Sequence, residues 1–200
     1  MDYSAGFTKE KWSENDIAIV LELILKGKNK REILEEVTEH NLFQLRSPVS
    51  ISNRFNMVYN RAVILDEEMQ RYFLDANVYN RKALTLYSFL KVYRVPLEFY
   101  YEVILYKNEQ QEHLYSNDFH YFFEKKSSES NKISEWRPET IKRLIRTLIL
   151  FFRESNMIEK IDKTKYTVKS IHMNRPLKSY AEKNAPLLYS FTTLEKVNEL

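Results

Sequence analysis

The chain has no cysteine in 200 residues, so it holds neither disulfides nor thiolate zinc sites, and a reducing compartment suits it. It has two glycines, Gly6 and Gly27, and five prolines. So few turn formers argue against an all-β fold, and no glycine-rich loop is available to cradle a phosphate. The four histidines, His40, His113, His120 and His172, never fall at the i, i+4 spacing of a helical zinc site. No elbow motif supports a Ser-His-Asp triad. The longest apolar stretch, Ile17 to Leu25, is too short to cross a bilayer and contains Glu22. The opening MDYSAGFTKEKW lacks the apolar core of a signal peptide. These absences predict a soluble, cytoplasmic protein with no enzymatic activity, no cofactor, no metal and no membrane contact.

A chain of this length suits one large or two small domains and buries roughly 70% of its unfolded surface. Its net charge of +3 is modest but unevenly placed. Residues 1–64 are balanced, with nine basic and nine acidic side chains, and residues 65–130 carry eight and eleven. Residues 131–200 carry fourteen Lys or Arg against eight Asp or Glu, a net of +6. A polyanion is drawn to that last third.

Apolar spacing is helical almost throughout. Ser13 with Asp16 resembles a capping box opening a helix to about Lys26, which Gly27 ends. Asn29 with Glu32 opens the next, to about His40, and Ser47-Pro48 starts a third with Ile51, Phe55, Val58 and Ala62 on its core side. Further helices are predicted over Glu67–Leu74, Asn80–Tyr93, Pro96–Lys107, Asp118–Lys126 and Pro138–Ser155. Lys125 to Lys132 reads as a loop. Weak alternation over Ile158–Ser170 predicts a small β-hairpin near residues 160–169, and no larger sheet is expected. The tail, with Pro176 and Pro186, is expected to wrap the surface before a last helical turn. The fold class is all-α, at least seven helices with two helix-turn-helix units. The predicted divisions are an N-terminal unit at 1–65, a central helical core at 66–115 and a C-terminal unit at 116–200.

The acid-base pattern Asp118, Glu124 and Lys126 resembles a nuclease site, but metal-dependent nucleases place such groups on strands and this stretch is helical. Asp66-Glu67-Glu68 reads as acid favouring a helix N-terminus. Nucleic-acid signals are stronger. Helices at Asn29–His40 and Pro48–Ile64, joined by Asn41–Ser47, have helix-turn-helix proportions. The second offers Ser50, Ser52, Asn53, Arg54, Asn56, Asn60 and Arg61. Asn bonds adenine bidentately, and Arg bonds guanine or phosphate. Arg46 precedes this helix. In the helix from Pro138, Ile141, Leu144, Ile145, Leu148 and Phe152 form one stripe, while Lys142, Arg143, Arg146 and Arg153 gather opposite. Such a helix lies well against phosphates; a solvated amphipathic helix is the plainer alternative. Thr140, in the first turn of that helix, is a further candidate DNA contact. Lys160, Lys163, Lys165 and Lys169 of the hairpin would act as a wing, and Trp136 reads as a core anchor.

Five segments resemble the BrxA family of BREX bacteriophage-exclusion systems: YSAGFT (Tyr3–Thr8), NLFQLRS (Asn41–Ser47) with Arg54 following, LKVYR (Leu90–Arg94), DFHYFFEKK (Asp118–Lys126), and W-x-x-x-T-x-K-R-L from Trp136 to Leu144. They span nearly the whole chain in order; Arg137-Pro138 departs from the small or acidic residues expected after the Trp. The resemblance implies an all-α fold with two helix-turn-helix units, double-stranded DNA binding, no catalysis, and methyltransferase and ATPase partners in phage defence. Two competing readings are an RNA-binding module like NusB and a protein–protein adaptor. RNA binding stacks exposed aromatics on bases, whereas Tyr87, Tyr93, Phe99, Tyr100, Phe122 and Phe123 sit at core spacing. Two binding units in one chain favour a monomer.

Overall fold

The computed structural model describes residues 2–75 and 77–196. Helix makes up 69% of it, as the all-α expectation requires. After a 3-10 turn at Gly6–Lys9, the chain forms α1 (Glu14–Leu25), α2 (Lys30–Glu39), α3 (Pro48–Ala62), α4 (Glu67–Leu74) and α5 (Val78–Val92). Helix α6 (Arg94–Phe99) runs through a π turn at Tyr100–Ile104 into α7 (Leu105–Glu109). Strand β1 (Leu114–Tyr115) leads to α8 (Ser116–Glu129), the short α9 (Asn131–Ser134) and α10 (Pro138–Glu154). Strands β2 (Ile158–Lys160) and β3 (Lys165–Val168) precede α11 (Arg175–Asn184) and α12 (Pro186–Thr193).

Local chemistry explains the first boundaries. Gly27 adopts a left-handed φ of 79°, and the amides of Gly27 and Lys28 bond to the carbonyls of Ile24 and Leu23, a Schellman stop that glycine permits. Asn29 and Glu32 close a reciprocal capping box on α2. The Ser47 hydroxyl accepts from the Ser50 amide, with Pro48 in the first turn of α3. Ser13 departs from its expected role. It is left-handed, at φ 50°, and makes no cap bond, because its hydroxyl accepts from Arg54 instead.

Three further expectations are corrected. The stretch from Lys125 is not a loop: α8 continues to Glu129, held by Lys125 and Lys126 reaching Glu129 one turn on and Glu102 across the fold. The hairpin exists but has a third strand. The order is β1-β3-β2, all antiparallel, with Leu114 opposite Tyr166 and Ile158 opposite Val168. A strand of two residues is too short to show alternation. The tail is not a surface wrap, since α11 and α12 bury Leu177, Ala181, Leu187, Leu188 and Phe191. Pro176 and Pro186 sit at the starts of these helices, where a missing amide costs nothing.

One apolar core joins these elements. Phe89 stacks on Phe151 with centroids 3.7 Å apart, and Phe7 and Trp12 pack edge-on against that pair. Phe99 stacks on Phe119 at 4.7 Å. Five of the six expected core aromatics are buried, and Tyr93 is half-buried against the same core. Among the described residues no helix is long and apolar enough to cross a membrane.

Candidate nucleic-acid interface

Helix α10 begins at Pro138, with Arg137 as its cap. Leu144, Ile145, Leu148, Phe151 and Phe152 are buried, while Lys142, Arg143, Arg146 and Arg153 are exposed. At 100° per residue, Lys142, Arg146 and Arg153 lie within about 40° of one another, with Arg143 on the flank. At 1.5 Å per residue the row is roughly 16 Å long. Among the described residues none of these four has an ion-pair partner. In the first two thirds of the chain several cations are matched: Arg31 to Glu35, Arg71 to Glu67, Arg94 to Glu98, Lys107 to Glu112 and Asp118, and Lys126 to Glu98 and Glu102. The net +6 of the last third therefore includes an unneutralised row on one helix face. Thr140 is half-buried and lies round the helix from the row, about 60° beyond Arg143.

Helix α10 packs against α8, the 3-10 turn, α5 and β2. The groove between α8 and the start of α10 holds about 410 Å³ and is lined by His120, Phe123, Glu124, Ser127, Pro138, Ile141 and Lys142. Trp136 is half-buried against the core, as expected of an anchor. At the other end of α10, Lys163 is exposed and Lys165 half-exposed in the β2–β3 hairpin, and neither has an ion-pair partner among the described residues. Asp162 shapes that turn by accepting from the amides of Thr164 and Lys165. Those bonds, the Thr164 amide foremost, hold its carboxyl below the ordinary range. Lys169 is tied to Glu159 and so is not a free wing cation.

In α3 the structure separates residues that the spacing grouped. Arg46, Ser50, Asn53 and Asn56 are exposed, as is Asn60. Asn53, Asn56 and Asn60 share one strip, bordered by the exposed Val49 and Val63. The Asn56 amide donates to the Ser52 carbonyl at 3.1 Å. Arg54 and Arg61, seven residues apart, share a flank that faces the protein. Arg54 donates to the Ser13 hydroxyl at 2.6 Å and pairs with Asp16 at 3.1 Å. Burial pushes the Asp16 carboxyl up, against the pull of Arg54. Arg61 is 0% exposed. It donates to the carbonyls of Lys11, Trp12 and Thr85 and to Ser88, pairs with Glu10 at 3.5 Å and lies over the Phe151 ring. Arg61 is thus corrected from a DNA contact to a core residue, and Arg54 to a largely committed one. The segments that cover this flank, residues 10–16 and 85–88, are remote in sequence, so helical spacing alone does not reveal them.

The acid-base pattern of α8 does not converge. Asp118 pairs with Lys107 at 3.3 Å, Glu124 faces the α10 groove, and Lys126 is buried among Glu98, Glu102 and Glu129. Among the described residues no three His, Asp or Glu side chains are placed to hold a metal ion. Sequence reading missed Tyr106, Tyr115 and Tyr121, which are 48%, 45% and 63% exposed and have no ring partner among the described residues. Their signal was negative: none belongs to an apolar stripe.

Three comparisons bear on ancestry. The chain is 29% identical over 138 residues to a protein described as BREX protein BrxA from Bacillus cereus, covering 68% of this chain and 69% of that one. Its fold matches a crystal structure of an uncharacterized protein from Magnetospirillum magneticum with a TM-score of 0.80. That match covers 95% of this chain and 97% of the other, at 15% identity, a likeness of fold alone. The BrxA family model matches residues 1–185, from before the YSAGFT segment to the end of α11, and this chain belongs to the BrxA family.

Proposed function

We propose that this chain is a non-catalytic, double-stranded DNA-binding accessory protein of a BREX-type phage-defence system. The relative described as a BREX protein supports the setting. The single observation that carries the DNA reading is the row Lys142, Arg143, Arg146 and Arg153, exposed on one helix and without an ion-pair partner among the described residues. Leaving like charges adjacent on one helix face costs stability, and a polyanion offsets that cost by releasing counterions. The exposed α10 face supplies backbone contacts, Lys163 and Lys165 extend them as a wing, and the α3 strip of Asn53, Asn56 and Asn60 supplies base contacts. Arg46 and Ser50 flank that strip. The protein acts as a monomer in the cytoplasm, delivering DNA contacts to methyltransferase and ATPase partners.

The test is a duplex titration at several salt concentrations. Replacing Lys142, Arg143 and Arg146 with Ala weakens binding for all sequences alike. It also lowers the log–log salt slope by roughly 0.9 for each phosphate that is no longer neutralised. A folded triple variant with unchanged affinity and slope would show that the row is only a solvated face.

A further inference from the structure

Helix α8 has a second exposed flank, about 100° round from the residues that face α10. There Tyr115 and Tyr121 line one depression of about 350 Å³ with Ser116, Asn117, Asp118 and Thr164. Tyr115 pairs in register with Lys165 of β3, and the Ser116 amide bonds to the Thr164 carbonyl at 2.8 Å. Lys165 thus stands opposite Tyr115, and Lys163 adjoins the lining residue Thr164 in the hairpin turn. The one carboxylate of the depression, Asp118, is already occupied by Lys107 at 3.3 Å and by the Tyr115 amide at 2.6 Å. Two rings without a ring partner and two nearby lysines without an ion-pair partner among the described residues, with small hydrogen-bonding side chains between, are the components of a base-stacking platform. A basic protein segment would want free carboxylates here, and none lines the depression.

We propose that Tyr115 and Tyr121 form a stacking site for an unpaired nucleobase, on a strand whose phosphates meet Lys163 and Lys165. The site rests on the nucleic-acid reading but uses different residues from the α10 row, so the two can fail separately. It suits DNA with an overhang, a gap or an opened base pair.

The experiment compares a blunt duplex with the same duplex carrying a short thymidine overhang, in wild type, Tyr115→Leu/Tyr121→Leu and Tyr115→Phe/Tyr121→Phe. In a parallel titration, a fluorescent adenine analogue replacing one overhang thymidine reports stacking directly. Wild type binds the overhang duplex roughly tenfold more tightly, within the range for one stacked base. The Leu pair loses that advantage while keeping blunt-duplex affinity, and the Phe pair retains it. Equal affinity of wild type for both DNAs, or an undiminished advantage in the Leu pair, overturns the site. Overhang binding without blunt-duplex binding would sink the α10 reading and leave this one standing. If neither DNA binds, both fall. A Leu pair that keeps all DNA affinities yet loses a protein partner would assign the face to protein and overturn the proposal.

Discussion

Arg61 has the largest side chain among the fully buried residues described, and burial pulls the pKa of its guanidinium down against the attraction of Glu10. A buried ion pair offers little over apolar packing, but losing one partner strands the other. Arg61→Ala is therefore expected to cost about 3–5 kcal/mol in chemical denaturation. Arg61→Met combined with Glu10→Leu recovers much of that, and duplex affinity is unchanged wherever the protein is folded. Glu98 makes the complementary case. Partial burial raises its carboxyl, but hydrogen bonds from Lys126 and Arg94 outweigh this and hold it below its ordinary value. Hydrogen bonds from Tyr3 act in the same direction. With the folded pKa depressed, the stabilisation is complete above the unfolded carboxylate value and is lost as pH falls through the folded one. Denaturation midpoints followed from neutral to acid pH should fall less steeply for Glu98→Gln than for wild type. Equal acid limbs would remove Glu98 from this role.

Among the elements, those whose ends are coded locally were legible in the sequence. The Asn29–Glu32 box, Gly27 and the Ser47-Pro48 start each act within a few residues, and the structure has α2 and α3 where they predict. The basic face of α10 was legible for the same reason, since one helix carries both stripes. The last turn of α8, the two-residue β1 and the burial of α11 and α12 were not, because partners far along the chain decide them. Glu102 holds Lys125, Thr164 holds Ser116, and the Phe191 carbonyl takes the Ile171 amide. The α3 face shows the same limit within one helix: its core stripe was readable, but which polar flank faces solvent was not. With Arg54 and Arg61 committed inside, the base preference proposed for α3 rests on the exposed amides, flanked by Arg46 and Ser50. Asn53→Ala is expected to cost about 1–3 kcal/mol on a preferred duplex and much less on random DNA. Arg54→Ala should instead lower stability and leave the ratio between the two DNAs unchanged. Competition binding with selected and random duplexes measures both, and no preferred duplex at all would make α3 a backbone clamp.

The molecule as a whole ties its two candidate binding helices to one core. Arg61 of α3 lies over Phe151 of α10, Trp12 packs on the same ring, and Phe89 of α5 stacks beneath it. The ends of the described chain are part of this construction. Helix α12 packs on α5, and the Tyr100 hydroxyl meets Ser190 at 2.8 Å in the interior. Removing everything after Ser170 would strip Leu177, Leu187, Leu188 and Phe191 from the core, each worth about 1.5–3 kcal/mol when fully buried. A domain of ordinary stability has only about 5–15 kcal/mol in total. The loss is therefore of the order of the whole margin, and no local rearrangement of α5 recovers it. The truncated chain is expected to lose its cooperative thermal transition and near-ultraviolet circular dichroism and to bind a hydrophobic dye. It should also lose duplex binding, although every residue of the α10 row is retained, because that row is straight and outward-facing only while Phe151 and Phe152 are seated. A truncated protein that melts cooperatively and binds duplex as tightly as the full chain would show that the basic helix belongs to a separately stable unit.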